Sequence, residues 1–149
     1  MSVSRRTLLT LVPVAWAGSI TAATAASMNF SVPLTGAQQV PPVSTTGAGT
    51  ANMAFDPATR MLTWSISYSG LSSAVTMAHI HGPAAAGKNA SPEVWLSKKG
   101  TPPSNPFSGT ATLTEAQAKQ LMAGDMYVNV HTTTHPAGEI RGQIVPSKG

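Results

Sequence analysis

The sequence predicts an all-β fold, a Greek-key β-sandwich or barrel of about seven to eight antiparallel strands with one short helix. Apolar residues recur at every second position over most of the chain, which is the period of a sheet with one buried face. Gly- and Pro-containing segments separate these runs and are typical of turns. The 149 residues suffice for one domain, and 42% hydrophobic with 9% charged residues is typical of a small exported β protein.

Residues 1–25 are predicted to be an export signal. Arg5 and Arg6 give it a positive start, a short apolar stretch follows, and "ATA" at residues 23–25 offers a signal-peptidase site. The two arginines followed by "TLL" resemble a twin-arginine signal, and an ordinary secretory signal explains them equally well. We therefore expect a mature chain that starts near Ala26, is periplasmic or secreted, and has no stable membrane insertion.

Three strands are predicted in the first half of the mature chain, at "MNFSVPL", "GTANMAFD" and "MLTWSISYSG". Asp56 and Pro57 provide the turn between the second and the third, because proline fixes φ and aspartate bonds the backbone ahead of it. These two strands are expected to form a hairpin. The inward positions are Met28, Phe30, Val32, Leu34, Ala51, Met53, Phe55, Leu62, Trp64, Ile66 and Tyr68.

The second half is predicted to hold the remaining strands and the helix. "VTMAHIHG" and the short "EVWLS" are strands, and the rest of the segment 82–107 is expected to be irregular. "TEAQAKQLMAG" is a predicted helix, since Thr114 and Gln117 form a capping box and Gly124 is placed to end it. The closing strands "DMYVNVH" and "EIRGQIV" are joined by a loop that contains histidine.

Charge and cysteine content exclude several classes of function. Of the nine Lys and Arg residues, two lie in the leader, which leaves seven against five acidic residues. These seven are scattered along the chain without interleaved aromatic residues, so we expect no nucleic-acid partner. The chain has no cysteine, which removes both disulfides and thiolate metal ligands. Any metal must therefore be bound by nitrogen and oxygen.

All four histidines lie in two short segments, "AHIHG" and "VHTTTHPAGEIRGQI". Residues two apart on a strand share a face, so His79 and His81 are expected to project together. In "MYVNVH" the alternating apolar residues occupy the buried face, which places His131 on the opposite face. His135 follows in a turn, where the next residue, a proline, keeps it extended. Four imidazoles are thus predicted to converge.

His79, His81, His131 and His135 are the candidate metal ligands. One H-x-H pair alone is weak support, but every histidine of an exported, thiol-free chain lies here on a face turned away from apolar residues. Imidazole ligands suit copper, which has the highest affinity among the divalent first-row metals. Zinc is the alternative, because four imidazoles can also close a tetrahedral structural site. Tyr127 and Asn129 are candidates for orienting a ligand ring.

The blocks "FSVPLTGAQQVPPV", "AHIHGPAAAG" and "VNVHTTTHPAGEIRGQI" resemble the CHRD domain, named from its occurrence in chordin and widespread in bacteria. The resemblance covers residues 28–146, nearly all of the predicted mature chain. It implies a β-sandwich module, a class in which activity is often unassigned. Membership in such a family therefore informs the fold more than the function.

A more distant resemblance concerns copper-zinc superoxide dismutase, a Greek-key barrel whose copper lies among histidines outside the barrel. His79 and His81 match its H-x-H ligands, His131 matches its later strand ligand, and His135 would stand in for the fourth. The zinc subsite and the disulfide of that family have no counterpart in this sequence. Arg141 does not align with its channel arginine, so no guiding role follows from the resemblance. Its strand position favours a solvent-facing residue paired with Glu139, and the alternative is that it adds positive potential for an anion.

Three functions follow as hypotheses. The first is a copper-dependent superoxide dismutase that cycles between Cu(II) and Cu(I), with superoxide as its small anionic substrate. The second is a copper store or carrier without turnover. The third is a protein-interaction or matrix module whose histidines are structural. The sequence leaves the oligomeric state open.

Overall fold

The computed structural model describes residues 26–146, so the predicted export signal lies outside the described residues. The described chain contains eight strands, one α-helix and a 3-10 turn at Gly36–Gln38. The strands are β1 (Met28–Thr35), β2 (Ala48–Asp56), β3 (Met61–Ser69), β4 (Val75–His81), β5 (Pro92–Trp95), β6 (Phe107–Thr112), β7 (Met126–Thr132) and β8 (Ile140–Ile144), and helix α1 is Glu115–Ala123.

The eight strands form one antiparallel sheet in the order β5-β4-β7-β8-β1-β2-β3-β6. This sheet curls into a nearly closed barrel, which confirms the predicted fold class. The indole Nε1 of Trp64 in β3, the strand next to the edge strand β6, donates at 3.2 Å to the Leu96 carbonyl, which follows the opposite edge strand β5. The weakest junction among the described strands is β1 with β8, where a single residue pair, Thr35 with Arg141, is in register.

The predicted hairpin of β2 and β3 is confirmed by a continuous register from Ala48–Ser69 to Asp56–Met61. Its turn is held as expected, since the Asp56 carboxylate accepts from the Ala58 amide at 2.8 Å. The alternating residues of β1, β2 and β3 line the core: Phe30, Val32, Leu34, Ala51, Met53, Phe55, Leu62, Trp64 and Ile66 are all buried.

Helix α1 begins and ends as the sequence predicts. The Thr114 hydroxyl accepts from the Gln117 amide, and the Gln117 side chain accepts in return from the Thr114 amide. Gly124 ends the helix at φ 77°, the left-handed region that glycine adopts without strain. Leu121 anchors the helix in the core.

No described helix is both long and apolar enough to cross a lipid bilayer.

Strand β7 differs from its expected pattern because all seven of its residues are buried, on both faces. The inward face packs in the core as predicted. The other face, which carries His131, is covered by loops rather than open to solvent. Gln39 from the loop after β1 donates to Asn129 at 2.7 Å, and the Ala90 amide donates to the Tyr127 hydroxyl at 3.1 Å. The periodicity of the sequence predicts which face of the strand packs in the core, but it does not predict the loops that cover the other face.

Candidate metal centre

The two strands that carry the histidines are direct neighbours. In the antiparallel pair of β4 and β7, His79 lies opposite Asn129, and Met77 lies opposite His131. Because alternate residues share a face, His79, His81 and His131 all emerge on the loop-covered side of the sheet. The predicted orientation of these three residues is confirmed.

His79, His81 and His131 form a compact cluster, called here the histidine triad. One ring nitrogen from each lies within 4.8 Å of the others. His79 Nδ1 and His131 Nε2 are 3.2 Å apart. Two nitrogens bound to one tetrahedral ion at 2.0–2.1 Å would be separated by about 3.3 Å. The three side chains are 4%, 7% and 6% exposed, so the cluster is enclosed by protein.

Backbone carbonyls fix the tautomers of two of the rings. His81 Nδ1 lies 2.9 Å from the Ala90 carbonyl, and His131 Nδ1 lies 2.9 Å from the Pro136 carbonyl. A carbonyl oxygen only accepts, so each Nδ1 carries the proton and donates it, and each Nε2 keeps its lone pair. Metal-binding histidines in proteins have this arrangement, with the outer nitrogen held by an acceptor.

The triad is held in its neutral form. Burial, together with the neighbouring His131 and His81 rings, lowers the pKa of His79 to about 4. Burial also lowers the pKa values of His81 and His131, although their hydrogen bonds to backbone carbonyls oppose the shift. Neutral imidazole is the form that binds a metal ion, so at neutral pH these rings do not have to lose a proton first.

Two nitrogens of the triad, His79 Nε2 and His81 Nε2, are buried and have no hydrogen-bond partner within residues 26–146. Leaving a buried polar atom unpaired costs about 1–3 kcal/mol. The lone pair of His81 Nε2 cannot be satisfied by the other two rings as they stand, whereas a cation between the rings would satisfy it. The residues present therefore fit a metal ion bound by three imidazoles.

Tyr127 and Arg141 form a stack behind His81. The Tyr127 ring is nearly parallel to the His81 ring, with centroids 5.0 Å apart. The Arg141 guanidinium carbon lies 3.4 Å from the centroid of Tyr127. The Tyr127 hydroxyl also donates to the Ala90 carbonyl at 3.3 Å, the oxygen that fixes His81. Tyr127 therefore helps to orient the His81 ring, and the role of that ring as a metal ligand stays a prediction.

The solvent-facing position expected for Arg141 is wrong, since its side chain is only 2% exposed. Its guanidinium donates to the Asn89 side chain at 3.0 Å and to the Lys88 carbonyl at 2.7 Å. These bonds hold the loop that presents Ala90 to His81. The attraction of an anion by Arg141 stays a prediction.

Asn129 acts on a loop rather than on a ring. Its side chain accepts from Gln39 at 2.7 Å and donates to the Ala137 carbonyl at 3.2 Å. Ala137 follows Pro136, whose carbonyl fixes His131. Asn129 therefore stabilises the segment that orients His131, one step away from the position that the sequence suggested.

His135 lies outside the triad. It is half-buried and shares with His81 and Asn129 the lining of a cavity of about 360 Å³. Its amide donates to the Thr132 hydroxyl at 3.2 Å, which closes the turn after β7. Its role as a fourth ligand stays a prediction.

The backbone acceptors Ala90 and Pro136 were not foreseen from the sequence. A backbone oxygen carries no residue-type signal, and both lie in irregular loops whose path the strand pattern does not define. The buried carboxylate of Glu139 was also missed. It accepts hydrogen bonds from Thr45, Ser72 and Thr132, which ties the histidine loop to two other loops. The sequence feature that could have pointed to Glu139 is its position four residues after His135.

The model of the CHRD domain family matches residues 30–144. The chain belongs to the CHRD domain family. The matched part of this CHRD domain includes the whole triad, the stack behind His81 and the loops that cover them. The match confirms the resemblance of the sequence to the CHRD domain. No curated protein and no solved structure matches the chain.

Proposed function

We propose that this protein binds one copper ion in the histidine triad and uses it to dismutate superoxide. The observation that supports the proposal is the convergence of three buried, neutral imidazoles, two of which have a buried ring nitrogen without a hydrogen-bond partner in the described residues. Two of the three rings are fixed by backbone carbonyls, so the ligand geometry exists before metal arrives. Such preorganisation is typical of functional metal sites.

Copper suits this ligand set better than zinc. The triad offers nitrogen ligands alone, and imidazole binds both oxidation states of copper, the tightest-bound of the divalent first-row metals. Structural zinc sites almost always have four protein ligands, whereas three ligands leave a coordination position open for chemistry. If His135 supplied a fourth nitrogen, the site would have the four protein ligands of a structural zinc site, and zinc would be favoured.

Copper bound here would supply one-electron chemistry, in which one superoxide loses an electron as O₂ and a second gains it and two protons as peroxide. The protein holds the three rings neutral, fixes the tautomers of His81 and His131, and limits water around them. The cavity beside His81 gives a small substrate a path toward the cluster. Arg141 places a positive charge behind Tyr127, close enough to favour an anion.

A copper store without turnover is the second candidate. It is favoured by the burial of the ligands, which are no more than 7% exposed, since an enclosed ion exchanges slowly and meets few substrate molecules. The third candidate is a structural role. In that case the 3.2 Å contact between His79 and His131 is a hydrogen bond that pins β4 to β7.

The test uses mature protein loaded with copper, freed of loose metal by a chelator, and studied by electron paramagnetic resonance and by superoxide decay. We expect a nitrogen-coupled Cu(II) signal and decay faster than in chelated-copper controls. His81→Gln should lose both, whereas zinc-loaded protein should show no turnover. A normal copper signal without turnover would support the store. Failure to retain copper would leave the structural role.

We also propose that the protein is exported and acts in the periplasm or outside the cell. The support is the leader-like sequence of residues 1–25, which lie outside the described structure. Expression of the full chain in a bacterium and sequencing of the recovered N-terminus tests this. A start near Ala26 in the periplasmic fraction is expected, and an intact N-terminus in the cytosol would contradict it.

A further inference from the structure

Trp95 is an exposed aromatic residue in contact with the triad. It is the cross-strand partner of His79 in the pair of β4 and β5. The two rings are perpendicular, with centroids 4.2 Å apart. Trp95 is 40% exposed, while His79 is 4% exposed. The indole therefore reaches from the protein surface to a proposed ligand.

A positive charge lies over the same indole. Lys99 Nζ is 5.7 Å from the centroid of Trp95, within the range of a cation–π contact. Lys99 is itself exposed. The surface around Trp95 thus combines an accessible π system with a cation that would attract a small anion.

The enclosure of the triad limits direct contact between its rings and a bulky reductant. The three proposed ligand residues are at most 7% exposed, and of the three only His81 lines the cavity beside the triad, so His79 offers a bulky reductant almost no surface of its own. Such a molecule can, however, rest on Trp95, from which one further ring contact leads to His79. No comparable contact with solvent is offered by Tyr127, which is 2% exposed.

We propose that Trp95 and Lys99 form an electron-transfer port, at which a small anionic one-electron donor reduces copper held by the triad. This inference rests on the proposed copper site and adds a reductant to it. In the step, the donor anion loses one electron and releases a proton to solvent, and Cu(II) becomes Cu(I). No bond in the protein forms or breaks. Trp95 lies on the path of the electron without being oxidised or reduced itself, and Lys99 attracts the donor.

The test follows the loss of the Cu(II) resonance signal after mixing copper-loaded protein with ascorbate, an anionic donor, or with hexaammineruthenium(II), a cationic one. Trp95→Leu keeps His79 covered but removes the π contact, so reduction by both donors should slow. Lys99→Glu reverses one charge about 8 Å from the bound donor. The rate of copper reduction by ascorbate should therefore fall about fivefold at low salt. The same substitution should increase the rate of reduction by the cationic donor.

Lys119→Glu is the matched control, because it makes the same change of net charge at an exposed position on helix α1. It should leave both rates nearly unchanged. Circular dichroism and the initial resonance spectrum check that each variant is folded and loaded. Equal reduction rates in the parent and Trp95→Leu, with normal copper signals, would overturn the port alone. Absence of a nitrogen-coupled signal in the parent would overturn the port and the copper site together.

Discussion

Replacing Glu139 by glutamine is expected to destabilise the protein in a way that depends on pH. Glu139 is fully buried. Its carboxylate accepts from the hydroxyls of Thr45, Ser72 and Thr132 at 2.6–2.7 Å and from the Ser72 amide at 2.8 Å. Burial alone would raise the pKa of this carboxyl, but the hydrogen bonds outweigh it and lower the pKa from 4.5 to about 2.

The size of the expected loss of stability follows from the pKa shift of Glu139. A fall from 4.5 to about 2 corresponds to about 3 kcal/mol of folding free energy at most, at 1.36 kcal/mol per pKa unit. Because the folded-state pKa is the lower one, this stabilisation is complete above pH 4.5. It is lost as the pH falls from 4.5 toward 2, where the folded protein also takes up the proton.

Urea unfolding of the parent and Glu139→Gln across this pH range measures the effect. The variant should be less stable by up to about 3 kcal/mol at pH 7, and the difference should shrink as the pH falls toward 2. Glu115→Gln, at an exposed ion pair with Lys119, is the control and should change stability by less than about 1 kcal/mol. A parent-to-variant difference that is the same at pH 7 and near pH 2 would refute the reasoning.

Three further substitutions test the supports of the site and of the fold. Gly138→Ala should lower thermal stability and copper affinity together, because Gly138 has φ 120° and an added Cβ would collide with the Asn129 side chain; a variant with unchanged melting and binding would contradict this. Tyr127→Phe keeps the stack on His81 but removes the hydroxyl that bonds Ala90, so competition titration should show copper affinity reduced about tenfold. An unchanged affinity would mean that the hydroxyl does not help to orient the ring. Thr114→Ala removes the cap of helix α1 and should cost about 1 kcal/mol in urea unfolding without changing copper binding; a loss of binding would show that the helix matters to the site.

Much of the fold was predictable because strand periodicity carries it directly. The alternation in β3 placed Leu62, Trp64 and Ile66 inward, and all three are buried. The capping box at Thr114 and the glycine at 124 defined the helix. Pairing between distant strands was less accessible, since the contacts of β3 with β6 and of β1 with β8 depend on the whole barrel.

The triad was predictable for the same reason, whereas its surroundings were not. Register alone placed His79, His81 and His131 on one face, and the neighbouring positions of β4 and β7 then brought them together. Arg141 occupies an outward strand position that reads as solvent-facing, yet a loop from another part of the chain buries it. The path of such a loop depends on tertiary contacts that have no periodic signal.

The central claim is that His79, His81 and His131 bind one copper ion in common. X-ray absorption at the copper edge of the loaded mature protein tests it most directly, because imidazole rings give a recognisable outer-shell scattering pattern. The account predicts imidazole coordination that is lost or reduced in His131→Gln, with a correspondingly weaker copper affinity. Coordination without imidazole, or a spectrum that His131→Gln leaves unchanged, would contradict it.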